Sequence, residues 1–304
     1  MIEVQSLGKS YKSTRAVDNV SFKLPEGKVV GFLGPNGSGK STTMRLMLGL
    51  DHGDGSTLFD GKPLLEHEYV TKVVGAHLDA KYFHPKRSAV NHLRMLATEA
   101  KVSQARVDEV VALMGLESVA KKAPKGFSLG MGQRLGLAGA ILTEPQHLML
   151  DEPANGLDPQ SIHWLRDFLK DYAAKGNTVF VSSHLLSEME LMADHLVVIA
   201  RGKLIADEPM TSFVARGTGN DVLVRTALES IATLNNALSA SGLVVTAVDS
   251  TALAVRGADS ERVGQLAFQA GVPVFELVAR QASLEEAFLE LTDDQQGYKT
   301  GGQS

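Results

Sequence analysis

The segment that most restricts the fold of this chain is a glycine-rich run, GPNGSGKST, at residues 34–42. It follows the apolar run Lys28–Leu33 and leads into Ser41–Leu50, which has helical character, so it joins a predicted buried strand to a predicted helix. Glycines allow successive backbone N–H groups to turn toward an anion, and the first turn of a helix adds partial positive charge. A glycine turn that matches by chance is the alternative, but the flanking strand and helix favour a phosphate-binding loop.

Two side chains of this loop have predicted roles of their own. Lys40 can reach the β- and γ-phosphates of a nucleotide as a point charge, and the Ser41 hydroxyl can ligate Mg²⁺. The predicted nucleotide-binding residues are Gly34, Pro35, Asn36, Gly37, Ser38, Gly39, Lys40, Ser41 and Thr42.

A second motif, HLMLDEP at His147–Pro153, places two acids directly after four mostly apolar residues. A strand that ends in Asp151 would carry this carboxylate to the Mg²⁺ beside a bound phosphate. Glu152, one residue further on, could polarise an attacking water molecule. An ordinary acidic strand end is the alternative, but the phosphate-binding loop upstream favours a catalytic pair.

The order of predicted elements indicates an α/β fold for the first two thirds of the chain. Apolar strand candidates at His147–Leu150, Thr178–Ser182 and Leu196–Ala200 are separated by helical segments, which is typical of a parallel sheet covered on both faces. Between about residues 84 and 134 helical periodicity dominates, in Asn91–Ala100 and Ser103–Met114. We therefore predict a P-loop NTPase sheet domain with an inserted helical subdomain.

The composition changes after residue 215. Lysine is absent between Lys203 and Lys299, and the stretch Ala215–Asn220 is polar and glycine-rich, as linkers are. The segments beyond it follow the order βαββαβ, with the last strand predicted at Pro273–Leu277, and this order predicts a small α+β domain of ferredoxin-like plan. The chain of 304 residues is long enough for about two domains, since a domain typically has roughly 150 residues. The predicted boundaries are 1–215, a linker at 216–220, 221–292, and a flexible tail at 293–304.

The charge balance argues against one class of partner. Thirty Lys and Arg residues against thirty-five Asp and Glu residues give a net charge of −5, whereas a nucleic-acid-binding protein usually has a basic surplus. The chain contains no cysteine, and it has no run of about 18 consecutive apolar residues, the length that spans a bilayer. We expect a cytoplasmic protein that binds no nucleic acid and reaches a membrane only through a partner.

The segment FSLGMGQR at Phe127–Arg134 resembles the signature motif of ATP-binding-cassette (ABC) ATPases. Other motifs of that family follow in order. Tyr11 lies before the phosphate loop, where the family has an aromatic residue. Asp158 lies in GLDP, which resembles the D-loop, and His184 lies where the switch histidine is expected. Taken alone, Tyr11 would be an ordinary core or surface aromatic residue and His184 a structural histidine.

The resemblance implies a role for each of these residues. Tyr11 would stack on adenine, Glu152 would act as the catalytic base, and His184 would contact the γ-phosphate. Ser128, Gly130 and Gln133 would face a nucleotide held by a second subunit, although Ser128 and Gly130 could equally form a plain helix cap. ATP and Mg²⁺ are the implied cofactors, with Ser41, Asp151 and Asp79 as candidate metal ligands.

Two residues depart from the family pattern. Asp79 stands where the family has a glutamine, so it is either a ligand of Mg²⁺ or a solvated loop residue. Leu129 replaces a glycine of the signature, and because Ser128 and Gly130 are retained we expect activity to survive.

The C-terminal segment, which includes SLEEAFLELT at Ser283–Thr292, looks like the accessory domain of bacterial drug, antibiotic and lantibiotic export ATPases. The resemblance therefore implies an exporter subunit that lies against the inner face of the membrane through a separately encoded permease. The second cassette would be another copy of the chain or a paralogue. The alternative function is that of a soluble regulator that acts through ATP-driven dimerisation.

Overall fold

The first of two compact units, Met1–Met210, is built on two sheets. The structure is a computed structural model that describes residues 1–79, 83–84, 86–216, 221–280 and 283–296. The strands of this unit are β1 (Ile2–Tyr11), β2 (Thr14–Leu24), β3 (Val29–Leu33), β4 (Asp54–Phe59), β5 (Lys62–Pro63), β6 (Val74–His77), β7 (His147–Leu150), β8 (Thr178–Ser182), β9 (His195–Ala200) and β10 (Lys203–Pro209). Its helices are α1 (Lys40–Met47), α2 (Val70–Val73), α3 (Ala89–Glu99), α4 (Gln104–Leu113), α5 (Leu129–Ala140), α6 (Pro159–Ala174) and α7 (Leu186–Met192), and α8 (Met210–Arg216) begins at its last residue.

The larger sheet is mainly parallel and has the order β10-β9-β3-β8-β7-β6. Only β10 pairs antiparallel with its neighbour. Every residue of β3, β7 and β8 is buried, as expected for strands covered on both faces. The predicted parallel sheet is confirmed, and its central strands all end at the edge where the candidate site lies.

The smaller sheet is antiparallel, in the order β2-β1-β4-β5, and the sequence patterns did not predict it. In β1 the buried residues are Ile2, Val4, Leu7 and Gly8, because a register shift at Ser6, which has a positive φ of 52°, breaks the alternation of period two. Asn19, with the same φ, separates the buried Val17 and Val20 of β2 in the same way. These bulges hide both strands from a simple periodicity argument.

The helical subdomain lies between β6 and β7 and comprises α3, α4 and α5. Both helices predicted there are present, within two residues of the predicted ends. The subdomain extends past the predicted end at residue 134, because α5 continues to Ala140 before β7 begins. The predicted signature residues lie at the start of α5, and the buried face of this helix packs against β6.

The second unit begins at Thr211 and contains an antiparallel sheet with helices. In chain order its elements are β11 (Asp221–Arg225), α9 (Ile231–Ala240), β12 (Val244–Ala247), β13 (Ala252–Arg256), α10 (Ser260–Gln269), β14 (Glu276–Ala279) and α11 (Leu284–Gln296). The strand order is β12-β13-β11-β14, and the core joins the sheet to α9 and α10 through Val224, Leu234, Leu253 and Val263. Residues 217–220 of the predicted linker and 297–304 of the predicted tail lie outside the described part of the chain.

Candidate functional site

The predicted phosphate loop connects the end of β3 to the start of α1. Gly39 has a φ of 108°, and a Cβ there would lie 2.4 Å from the carbonyl oxygen of Ala16. A Cβ at Gly34 would lie 2.3 Å from the carbonyl oxygen of Ile199. The loop therefore passes so close to β2 and β9 that only glycine fits at these two positions.

Lys40 is the first residue of α1 and is nearly buried, with 7% of its surface exposed. Its Nζ donates to the carbonyl oxygen of Gly34 at 2.7 Å and lies 3.9 Å from Oε1 of Glu152. Burial lowers the pKa of Lys40, and the carboxylates of Glu152 and Asp151 oppose this effect. The ammonium group is thus held inside the loop, facing the two acids that follow β7.

Asp151 and Glu152 are held in place by one serine on the neighbouring strand. Ser182 donates its hydroxyl hydrogen to Oδ1 of Asp151, and its Oγ accepts the backbone N–H of Glu152 at 2.9 Å. Glu152 has a positive φ of 51°, an uncommon conformation for a residue with a side chain. Its carboxylate, which is 22% exposed, is directed toward the same edge of the sheet as the phosphate loop, where Lys40 lies.

His184 follows β8 by two residues and contacts the same carboxylate. Its Nδ1 lies 2.7 Å from Oε2 of Glu152, and its side chain is 47% exposed. Lys40, Glu152 and His184 therefore converge at the carboxyl edge of the parallel sheet, which is the usual place for ligands in such folds.

Ser128 and Gly130 lie at the start of α5. Ser128 is the N-cap residue, and its Oγ accepts the backbone N–H of Met131 at 3.2 Å. A Cβ at Gly130 would lie 3.1 Å from the Leu157 side chain, and a Cβ at Gly156 would lie 2.4 Å from that of Leu129. The signature segment therefore packs against the predicted D-loop of its own chain, while Ser128 itself is exposed.

Gln133 differs in position from the other predicted signature residues. It is only 7% exposed, and its amide oxygen lies 2.6 Å from Nε2 of His77, while its amide nitrogen donates to the carbonyl oxygen of Glu152 at 3.1 Å. The resemblance implied that Gln133, like Ser128, faces a second subunit. Since both ends of its amide are hydrogen-bonded inside the chain, Gln133 does not face outward.

Asp158 caps the helix that follows the D-loop. Its carboxylate accepts the backbone N–H of Ser161 at 2.8 Å and the Ser161 hydroxyl at 3.1 Å. These two hydrogen bonds, the backbone one first, hold the pKa of Asp158 below its ordinary value of 3.8. Arg134 of α5 also donates to the Ser161 hydroxyl, at 2.7 Å, which links α5 to α6.

Tyr11 lies at the last position of β1, where this strand pairs with the start of β2. Its ring is 47% exposed, its hydroxyl donates to Asp51 at 3.2 Å, and the ammonium group of Lys9 lies 5.2 Å from the ring centre. The Lys9 ammonium group lies over one face of the ring, and the ring is exposed enough for a planar group to stack on it.

The candidate ligands of Mg²⁺ are all oxygen donors, as this ion requires. Ser41 is exposed in the first turn of α1, and Asp151 follows β7 directly. Asp79 is exposed two residues beyond the end of β6, and because His77 pairs with Leu150 in the parallel register, Asp79 and Asp151 leave the same edge of the sheet. Among the described residues no three His, Asp or Glu side chains form a metal site by themselves.

Two residues of this region were not singled out in the sequence. Ser182 ends β8, in VSSH, and only the fold shows that its hydroxyl bridges Asp151 and Glu152. His77 ends β6 and is 5% exposed, and burial lowers its pKa below the ordinary value of 6.5. Its position two residues before Asp79 was the available hint that His77 lies near the site. Its hydrogen bond to Gln133, which is 56 residues away in the sequence, could not be predicted from that position.

A parallel sheet whose central strand runs into a glycine-rich loop and a helix, with an acidic strand end beside the loop, defines the class of P-loop nucleoside-triphosphate-binding proteins. Comparison with known proteins narrows this class. The family model described as ABC transporter matches residues 17–155, and a domain of unknown function matches residues 220–285.

Curated relatives are similar over about two thirds of the chain. The lantibiotic transport ATP-binding protein SrtF of Streptococcus pyogenes is 36% identical over 209 residues, which cover 68% of this chain and 90% of the relative. The bacitracin transport ATP-binding protein BcrA of Enterococcus faecalis is 39% identical over 212 residues, which cover 68% of each chain.

Solved structures agree with these relatives. The ATP-binding subunit of an ABC transporter matches with a TM-score of 0.65 and 27% identity, over 71% of this chain and 92% of that one. The cassette MJ0796, solved as a dimer in a post-hydrolysis state with ADP and Pi, matches in fold with a TM-score of 0.64 and 23% identity, over 69% and 99% of the two chains. This chain belongs to the ATP-binding proteins of the ABC transporter family, so it is an ABC ATPase with the family's α/β fold and helical subdomain. No helix in the described part of the chain has the length and apolar character needed to cross a lipid bilayer.

Proposed function

We propose that this chain binds and hydrolyses ATP to power a separate membrane permease that exports a drug, an antibiotic or a peptide. The observation that carries the ATPase site is the convergence of three side chains. Nζ of Lys40 lies 3.9 Å from the Glu152 carboxylate, whose other oxygen lies 2.7 Å from His184. A cation for phosphate, a carboxylate for water and an imidazole beside it are what a phosphoryl-transfer site needs.

In this proposal each residue has a task in the reaction. The loop Gly34–Thr42 and Lys40 hold the β- and γ-phosphates, and the exposed ring of Tyr11 stacks on the base. Glu152 orients the attacking water and takes its proton as the oxygen bonds to the γ-phosphorus. The bond from that phosphorus to the bridging oxygen then breaks, leaving ADP and phosphate. His184, held by Glu152, donates a hydrogen bond to the γ-phosphate.

Ser41, Asp151 and Asp79 are the proposed residues for Mg²⁺, since they offer a hydroxyl and two carboxylates at one edge of the sheet. The ion would neutralise charge on the phosphates.

The complete site is proposed to need two cassettes, arranged head to tail. Ser128 is exposed at the start of α5, where its hydroxyl and the first backbone N–H groups of the helix can bind a phosphate presented from outside. The second cassette is a copy of this chain or a paralogue, and Asp158, at the start of α6, lies near the proposed contact.

Transport, rather than regulation, is supported by the relatives. SrtF and BcrA carry names that state transport, of a lantibiotic in one case and of bacitracin in the other. We assign the cassette to residues 1–215 and an accessory domain to 221–292. The order βαββαβ and the strand order β12-β13-β11-β14 support a ferredoxin-like plan for this domain. The expected location is the inner face of the cell membrane, through the permease.

Deletion and complementation test this proposal. A source strain without the gene should become more sensitive to peptide antibiotics, and the wild-type gene should restore resistance. The Lys40→Ala gene should not, because loss of a charge-assisted contact to phosphate weakens binding by about a hundredfold. The exposed Lys170 on α6 is the matched control, and Lys170→Ala should restore resistance. A strain that stays resistant to every peptide antibiotic tested would contradict export, and purified Lys40→Ala protein with wild-type affinity for MgATP would contradict the site.

A further inference from the structure

A chain of buried hydrogen bonds connects β6 to the backbone of Glu152 through α5. The amide nitrogen of Gln133 donates to the Glu152 carbonyl at 3.1 Å, so the amide oxygen is the end that faces His77, 2.6 Å from Nε2. Nε2 of His77 must therefore carry the hydrogen and donate it. His77 is 5% exposed and Gln133 is 7% exposed, so water does not replace these hydrogen bonds.

The backbone of Glu152 needs such support. A residue with a side chain in the left-handed region, here at a φ of 51°, is held there by its surroundings. The N–H of Glu152 donates to Ser182, and its carbonyl accepts from the Gln133 amide and, at 3.2 Å, from the backbone N–H of Asn155. Together these contacts fix the peptide on both sides of the residue and hence the direction of its carboxylate toward His184, and the contact from Gln133 is the one that comes from α5.

The packing of α5 is shaped around the ring of His77. A Cβ at Gly136 would lie 2.0 Å from Cε1 of His77, so the ring occupies the space that any other residue would fill. Gly136 follows Gln133 by three residues and is therefore on the same face of the helix. The bond and the space for the ring are two independent features of one arrangement.

His77 also contacts the strand that bears the acids. Its carbonyl oxygen accepts the backbone N–H of Asp151 at 2.9 Å. One residue thus touches β7 through its backbone and α5 through its side chain, and α5 begins at Ser128. Displacement of α5 would pull on the Glu152 carbonyl through Gln133.

We propose that His77 and Gln133 are positioning residues, which hold Glu152 in its left-handed conformation and couple the placement of the signature helix α5 to the carboxylate that activates water. The proposal rests on the function proposed above for Glu152. It makes hydrolysis, and not nucleotide binding, depend on two residues that touch neither nucleotide nor water.

The test compares variants of the full chain by ATPase kcat, ATP affinity and melting temperature. Gln133→Met keeps the length of the side chain and removes both bonds, and His77→Phe keeps a ring and removes the N–H donor. In each we expect kcat to fall about tenfold, the effect of one hydrogen bond, with ATP affinity within about twofold of wild type. His77→Gln restores an N–H donor and should recover most of the kcat that His77→Phe loses.

The controls separate positioning from general damage to α5. Leu137→Met changes a buried residue of the same helix outside the chain of bonds, and it should alter melting temperature without a matching loss of kcat. The proposal is overturned if Gln133→Met and His77→Phe fold and keep wild-type kcat, or if His77→Gln is no better than His77→Phe. Glu152→Gln is measured in parallel: full turnover in that variant would instead refute the role proposed for Glu152.

Discussion

At the scale of single residues, the contact between His184 and Glu152 makes a direct prediction. His184→Ala removes a hydrogen-bond donor beside the Glu152 carboxylate, which we propose activates water, but leaves the phosphate loop unchanged. We expect kcat to fall by about a hundredfold, as for loss of a positioned acid–base group, while ATP affinity changes little. Steady-state ATPase assays and nucleotide titration measure the two effects.

The exposed His163 on α6 provides the matched control for this substitution. His163→Ala should have wild-type kcat. A His184→Ala protein as active as wild type would remove the imidazole from the proposed mechanism.

Asp79 supplies the second prediction at this scale. If its carboxylate helps to bind Mg²⁺, Asp79→Asn should raise the Mg²⁺ concentration for half-maximal ATPase about threefold to tenfold, since a neutral amide is a weaker ligand for a hard cation. Asp79→Gln should keep substantial activity. Nucleotide binding without metal should be unchanged in both. Superimposable Mg²⁺ titrations of the three proteins would show that Asp79 is a solvated loop residue.

The sequence carried different amounts of information about different site residues. The residues of the phosphate loop and the acids after β7 could be proposed as site residues because glycine, lysine and carboxylates at fixed spacing have a local physical reason to be there. The direction of the Gln133 side chain has no local signal, since Ser128 and Gln133 lie on one short helix and only tertiary packing turns one outward and the other inward. The roles of His77 and Ser182 depend on strand pairing, which the sequence does not state.

At the scale of elements, the cap of α6 predicts a pH dependence of stability. The pKa of Asp158 is lowered by the hydrogen bonds from Ser161, so its folded value lies below the ordinary 3.8. A lowered carboxyl pKa means that the charged cap stabilises the protein above about pH 4, and that this contribution is lost as the pH falls through the folded value. The melting-temperature difference between wild type and Asp158→Ala should therefore be constant near neutrality and narrow below about pH 4.

Asp158→Asn distinguishes this effect from other consequences of the substitution. Asparagine keeps an acceptor oxygen and does not titrate, so its margin over Asp158→Ala should not vary with pH. A wild-type margin that persists unchanged at pH 3 would contradict the assigned cap.

The elements themselves were predicted with unequal success, for reasons seen in particular strands. β3, β7 and β8 are short, mostly apolar runs, and such runs predict buried parallel strands directly. β1 and β2 were not predicted, because Ser6 and Asn19 shift the register within each strand. The last strand was predicted at Pro273–Leu277, and β14 is found at Glu276–Ala279. The difference arises because pairing with β11, and not hydrophobicity, sets the ends of this strand.

At the scale of the whole molecule, the proposed two-cassette site predicts a change of oligomeric state. Glu152→Gln keeps the shape and hydrogen bonding of the side chain and loses the base, so ATP should bind and remain unhydrolysed. The trapped protein should elute as a dimer in MgATP by size-exclusion chromatography with light scattering, and as a monomer without nucleotide. An active, monomeric Glu152→Gln protein would contradict both the base and the dimer.

Truncation tests whether the two units are independent. Every residue of the candidate site lies within Met1–Met210, so a chain of residues 1–216 should fold and bind ATP with affinity within a few-fold of the full chain. Lys40→Ala in the truncated chain is the control for specific binding. A soluble truncated protein that binds no nucleotide would show that the second unit contributes to the site.

The left-handed backbone conformation of Glu152 lowers the stability of the fold in order to place a carboxylate at the proposed site. This conformation costs a non-glycine residue about 1–2 kcal/mol, and glycine would adopt it freely but would bring no carboxylate. Selection for heat resistance alone would therefore favour chains that have lost the carboxylate proposed here as the catalytic base. Laboratory evolution of a more stable ATPase from this sequence therefore has to screen for turnover in every round, because one available gain in stability lies at a position that the proposed chemistry needs unchanged.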